Sequence, residues 1–382
     1  MGVVIFRGLA LFAALVLYGC GSAAPQVQRA AANDVPQRRD ADDVARFIAG
    51  MPGKTGSPLA GLEATEAWQE HRRLLDEAWS KTDSTLVKGL QEFQGKELTD
   101  PRMQAAPMFY PFSGPDALTM TSLFPHRAMY VMVALEPAGT LPTVPQLESK
   151  ATAQDLGAMR ATVGSVLQRS FFITREMDKQ LRGQVADGLM LPILHLLVRR
   201  GNTILGFRYV RLDDRGEVID RAADYKAPGR FGNKGVEIEF RAAGSQESQK
   251  LFYFSVNLSD ERLTENKPFL EYLTKLKGAT TLLKATSYMP HQTGFSLIRS
   301  QILAVSGAVL QDDSGVPYRF FTPAEWKVQL YGEYTRPYGS FAYMVQPDLR
   351  NAFAAGAKPL AVRLSYGYSK VPSNLLLARK VR

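Results

Sequence analysis

The alternation of apolar and polar positions divides the chain into successive periodic blocks. From Asp40 a short helical pattern places Val44, Phe47 and Ile48 on one face and stops at Gly50 and Pro52. A longer pattern from about Glu63 to Ser80 repeats Trp68, His71 or Arg72, Leu75 and Trp79 at helical spacing. Asp83 or Ser84 can cap a second helix bearing Leu86, Val87, Leu90 and Phe93, which Thr99-Asp100-Pro101 ends. These two patterns predict a helical hairpin.

From Met108 to Pro137 the texture becomes strand, turn, short helix and a continuous apolar strand at Met129 to Leu135, of the kind covered on both faces. The turn Ser113-Gly114-Pro115-Asp116 leads into the helix, with Ser113 as candidate N-cap. Helices are predicted over about Ala153 to Ser170 and Gly188 to Val198, the second with Pro192 near its start and His195 as a satisfied core residue.

Hairpins follow. TILGFRYVRL and EVID flank Asp213-Gly216, and GVEIEFRAA and KLFYFSVNL flank Gly244-Ser245, with the glycine-rich basic loop Gly229 to Gly235 between them. Leu263 to Leu276 reads as helix, and a further apolar helix follows Arg299. The turn Gln311-Gly315 is expected to join two short strands, and KVQLYGEY and LAVRLSYGY read as strands around a short helix at Asp348 to Ala355. Tyr331, Tyr334, Tyr338, Phe341 and Tyr343 would suit a half-exposed sheet face. The order of blocks predicts an α+β fold on a mostly antiparallel sheet with packed helices, preceded by the helical hairpin.

The first forty residues read differently. Arg7 precedes an apolar run, Gly8 to Tyr18, of secretory length and too short to span a bilayer. The run ends in Leu17-Tyr18-Gly19-Cys20, which resembles a bacterial lipobox in the leucine three positions before the cysteine and the small residue just before it. The resemblance implies cleavage before Cys20 and lipidation of its thiol. Gly21, which is not aspartate, resembles the sorting signal for the outer membrane. From Gly21 to about Arg39 the chain is Ala, Gln, Pro, Arg and Asn with almost no bulky apolar residue, and is expected to be a disordered tether. The expected organisation is therefore a signal peptide (1–19), a lipidated tether (20–39), a helical segment (40–100) and an α+β domain (101–382). The FYPFSGPD and LQDDSGVPYRFF phrases are similar to uncharacterised lipoproteins of Gram-negative bacteria, a similarity that implies no activity.

Composition narrows the chemistry. The chain has 46 basic and 37 acidic residues, a formal +9, which becomes +8 once Arg7 is removed with residues 1–19. The cations are scattered without a nucleic-acid stripe, so an anionic envelope surface, the bilayer reached through Cys20 or an envelope protein is the expected partner. Cys20 is the single cysteine and would be consumed by lipid, so the folded part is expected to have no disulfide, no thiol nucleophile and no cysteine metal site. Gly53-Lys54-Thr55 ends like a phosphate-binding loop, but position 48, where the first glycine belongs, is Ile48. His71, His126, His195 and His291 fall in separate elements without metal-ligand spacing, and no cofactor is expected.

Two readings remain: non-catalytic binding or scaffolding, and a metal-independent hydrolase acting on an envelope component. The second would use His291, Asp312, Asp313 and Ser113 for catalysis. Tyr110, Asp116, Arg299 and Arg319 are the candidate ligand-binding residues. The two segments Tyr110 to Asp116 and Ser287 to Arg319 are expected to flank one cleft, because polar side chains there interrupt strongly apolar surroundings.

Overall fold

A computed structural model describes residue 38 and residues 40–150, 153–169, 188–226, 232–368 and 372–381. The signal peptide, Cys20, the tether apart from Arg38, and Gly229 to Phe231 lie outside the described residues. Among the described residues no helix is long and apolar enough to cross a membrane.

The fold is α+β. Ten strands form one mixed sheet: β1 (Met108–Pro111), β2 (Met129–Ala134), β3 (Thr203–Leu212), β4 (Val218–Asp220), β5 (Lys234–Arg241), β6 (Ser248–Ser255), β7 (Ala279–Leu283), β8 (Ser306–Gln311), β9 (Trp326–Gly332) and β10 (Asn374–Lys380). Their spatial order is β4-β3-β5-β6-β2-β1-β7-β8-β10-β9. Five of the nine pairings are antiparallel and lie at the two flanks; the other four are parallel and join β6, β2, β1, β7 and β8 in the centre.

Period-two alternation sorts the strands onto two cores. Met108, Tyr110, Met132, Leu310 and Leu377 face one, with Phe47, Trp68 and Leu90 from the first helices. Phe109, Val131, Val133, Val309 and Leu376 face the other, with Phe269, Ile298 and Phe353 from later helices. Both faces of the central strands are therefore covered, which explains their unbroken apolar runs. The early helical segment shares its core with the sheet. Thr65 caps the helix Glu66–Thr82 by accepting from the Trp68 N–H, and the Trp68 indole donates to the Phe47 carbonyl at 3.1 Å.

Several expectations change. The break expected at Asp83-Ser84 is a single π turn, Asp83–Val87, that carries Glu66–Thr82 into Lys88–Glu97, so these residues form one continued helix where a hairpin was expected. Neither Gly nor Pro stands there to stop it, and Ser84 and Thr85 turn their hydroxyls back onto the Lys81 carbonyl. Asp116, rather than Ser113, caps the helix Ala117–Leu123, its Oδ1 accepting from the Thr119 N–H at 3.0 Å. The turn after Gln311 leads into a 3-10 turn, Tyr318–Phe320, and not into a strand. LAVRLSYGY forms no strand, although Val362 and Leu364 point inward; the ladder beside β9 is made by β10 instead. Tyr331 and Tyr334 are buried while Tyr343 is exposed, so the tyrosines share no sheet face. His195 is a core residue, but neither ring nitrogen has a hydrogen-bond partner.

Candidate functional site

The chain leaves β1 toward β2 on one side, and β7 then pairs on the other side of β1. In open sheets with parallel strands, ligands commonly sit beyond the carboxyl ends of strands at such a reversal, here β1 and β7 with β8 beside them. The segments Phe112 to Asp116, Lys284 to Tyr288 and Asp312 to Ser314 begin at those three strand ends. The two segments singled out in the sequence are thus brought together because their strands are separated in the sheet only by β7.

The β1 side is closed by a buried ion pair. Lys284 Nζ lies 2.5 Å from Asp116 Oδ2, with both side chains under 5 % exposed, and also donates to Thr119 Oγ1 at 2.9 Å. The Tyr110 hydroxyl donates to the same Asp116 oxygen at 3.1 Å, and burial pushes the Tyr110 phenol well above its usual range. Tyr110 and Asp116 are therefore tied into one buried network with Lys284 and Thr119. Ser113 donates to the Gly114 carbonyl at 2.9 Å and its N–H to the Val133 carbonyl; no hydrogen bond joins it to His291 or to either Asp312 or Asp313.

On the β8 side Asp312 organises three strands of chain. Its Oδ2 accepts from the Ala285 N–H at 2.8 Å and from the Ser365 hydroxyl, and its Oδ1 from the Ser314 N–H at 2.9 Å and the Ser314 hydroxyl. Ala285, Ser287, Tyr288 and Ser365 all have φ between 51° and 58°. Left-handed backbone at such residues costs about 1–2 kcal/mol apiece, and strain of this kind persists where surrounding bonds over-determine it. Gly315 lets the turn close: a Cβ there would come within 2.5 Å of Gln311 Oε1, which accepts from the Val316 N–H.

Asp313 faces the cleft. Its carboxylate accepts from the Tyr288 hydroxyl and from Asn374 Nδ2 at 3.0 Å, and its carbonyl accepts from Gln346 Nε2 and His291 Nε2 at 3.0 and 3.2 Å. Burial and the negative charge of Asp312 push the Asp313 carboxyl up to about 7. His291 stands edge-on to Tyr288, and burial pushes its imidazole down to about 4. Arg299 and Arg319 do not reach the aspartates. Their guanidinium groups lie 4.7 and 5.0 Å from the Phe320 ring centre, and Arg299 donates to the Pro290 carbonyl.

Above Asp313 lies a cleft with about 250 Å³ of free space including its open mouth, lined by Asp312, Arg336, Tyr338, Tyr366, Pro372 and Asn374. The rings of Tyr338 and Tyr366 are parallel to within 1° at 5.8 Å. Lys284, Tyr288, Arg336 and Asn374 were not singled out in the sequence. Lys284 carries one signal, a lone cation ending the apolar run TTLL; a single Asn before NLLLARK carries none. Among the described residues no group of three or more His, Cys, Asp or Glu is placed to hold a metal ion. No protein-family model, curated protein or solved structure matches this chain.

Proposed function

We propose that this chain is a lipid-anchored envelope protein, held through Cys20 at the outer membrane, whose folded domain binds a ligand without transforming it in the cleft over Asp313. One observation carries the binding reading: the polar groups that could do chemistry already hold one another. Asp312 accepts four hydrogen bonds, and His291 donates to a backbone carbonyl, so it stands as a strut and not as a base beside a nucleophile. The cleft, with its parallel tyrosine rings and polar rim, remains as a surface on which a ligand fits. Its partner is an envelope component, not nucleic acid.

The hydrolase reading rests on Asp313, whose carboxyl near 7 beside a second carboxylate could exchange a proton at neutral pH. One experiment separates the two. Envelope sugars, lipid headgroups and peptides are screened by saturation-transfer NMR against the wild type and Tyr338→Ala, with product formation followed in the same samples. Binding that disappears in Tyr338→Ala without product supports the proposal. Product that forms with wild type and is lost in Asp313→Asn overturns it in favour of hydrolysis.

A further inference from the structure

Resting on the reading of the cleft as a binding site, we infer that its ligand is a zwitterion, with a primary ammonium group seated at Asp313 beside the Tyr338 and Tyr366 rings and an anionic group, a few bonds away, at Arg336.

Unmatched charge is the first ground. Asp312 and Asp313 are 2 % and 7 % exposed, yet among the described residues neither carboxylate has a cationic partner, whereas the nearby Asp116 has Lys284. Buried carboxylates are ordinarily paired. A carboxylate offers about four acceptor positions; those of Asp312 are filled, while Asp313 accepts only from Tyr288 and Asn374. Asp313 therefore keeps acceptor capacity for a further donor. The second ground is the aromatic wall, since a ring face attracts a cation. The third is Arg336 at the same cleft, exposed and with no hydrogen bond or ion pair among the described residues, which fits an anion. Hydrogen bonding then selects among cations: a primary ammonium carries N–H donors for the open acceptor positions of Asp313, and a trimethylammonium carries none.

The groups facing Asp313 are Asp312 in its own turn, Tyr288 from the Lys284 to Tyr288 loop, Tyr334 after β9, Tyr366, and Asn374 at the start of β10, with His291 at its carbonyl and Arg336 at the cleft. A bound ammonium favours the ionised Asp313 carboxyl, while an alkylammonium stays protonated up to about pH 10. Because burial and Asp312 hold the Asp313 carboxyl above its usual range, affinity should rise with pH as that carboxyl ionises and level off once it is fully charged.

The test uses the full chain and defined probes in competition NMR: O-phosphoethanolamine, β-alanine, 2-hydroxyethyl phosphate and O-phosphocholine. We expect O-phosphoethanolamine to bind at least tenfold more tightly than 2-hydroxyethyl phosphate, which replaces the ammonium with a hydroxyl, and than O-phosphocholine, whose trimethylammonium has no N–H to donate. Tighter binding of O-phosphoethanolamine than of β-alanine identifies a lipid-headgroup source, and the reverse an amino-acid source. Asp313→Asn should abolish the pH dependence, and Arg336→Ala should reduce O-phosphoethanolamine to the affinity of ethanolamine. Equal binding of the hydroxyl and ammonium probes by wild type overturns the inference without needing any variant, and leaves the binding reading intact if Tyr338→Ala still removes that binding. No binding of any probe at millimolar concentration overturns it as well.

Discussion

Removing either half of the Lys284–Asp116 pair should cost far more than removing both. The ammonium and carboxylate are 2.5 Å apart and almost wholly buried, so Lys284→Met leaves a buried carboxylate with only the Tyr110 hydroxyl and the Thr119 N–H, and Asp116→Asn leaves a buried ammonium with only Thr119 Oγ1 and an amide. Breaking a buried pair from one side costs about 3–5 kcal/mol, against about 0.2–1 kcal/mol for a solvent-exposed pair. Asn still caps a helix, so Asp116→Asn isolates the charge from the cap. The Lys284→Met/Asp116→Asn double variant has no buried charge at this position and should lose only about 2 kcal/mol, giving a coupling energy of about 4–8 kcal/mol in the cycle. Urea unfolding of the four proteins at neutral pH, with midpoints converted through a common slope, measures it. A coupling energy below about 1 kcal/mol would mean that water reaches the pair and that the β1 side of the crevice is open.

Three further outcomes are expected. His71 is buried, its Nε2 bonded to the Ile48 carbonyl at 2.9 Å, and burial lowers its imidazole to about 4. Because the folded value lies below the unfolded one, its contribution is intact above about pH 6.5 and is lost toward pH 4; between pH 7 and pH 5 the loss is about 2 kcal/mol. Urea midpoints should show His71→Gln losing less stability over that interval by the same amount, and an identical pH dependence in the variant refutes the assignment. Gly315→Ala should destabilise by about 1–3 kcal/mol in thermal unfolding, because its Cβ meets the Gln311 amide that bridges the turn; a neutral result would show that the turn yields freely. Cys20→Ser should move the protein from the membrane pellet to the soluble fraction, and retention after a high-salt wash contradicts a lipid anchor.

Where the sequence succeeded, periodicity and turn chemistry agreed, as in the β3–β4 and β5–β6 hairpins, whose Asp213 to Gly216 and Gly244-Ser245 turns are bounded by alternating residues. β7 was missed because ATTLL is short and lies between two parallel neighbours, where an apolar run is read equally well as strand or buried helix. LAVRLSYGY has strand-like inside-outside alternation but no ladder, because pairing is decided by which edge is free and that information is not local. The crevice was legible in part: polar residues directly following apolar strands marked Tyr110 to Asp116 and the Asp312-Asp313 turn. Their roles were not, since an aspartate that caps a helix, one that holds left-handed backbone and one that faces a cleft look alike until their partners at Thr119, Ser365 and Asn374 are known.

The place of β10 between β8 and β9 has a consequence for assembly as the chain is made. Among the described strands β10 is the last in sequence, yet it supplies the whole ladder of β9, apart from an isolated bridge between Tyr331 and Lys358, and one side of β8's. Until residues 374–380 dock, both β8 and β9 present bare backbone edges, the condition under which nascent sheets stick to other chains. Asn374 belongs to the same strand and donates to Asp313, so the docking that seals those edges also finishes the floor of the cleft. A half-made molecule therefore carries neither safe edges nor a finished pocket, and both arrive in one late step.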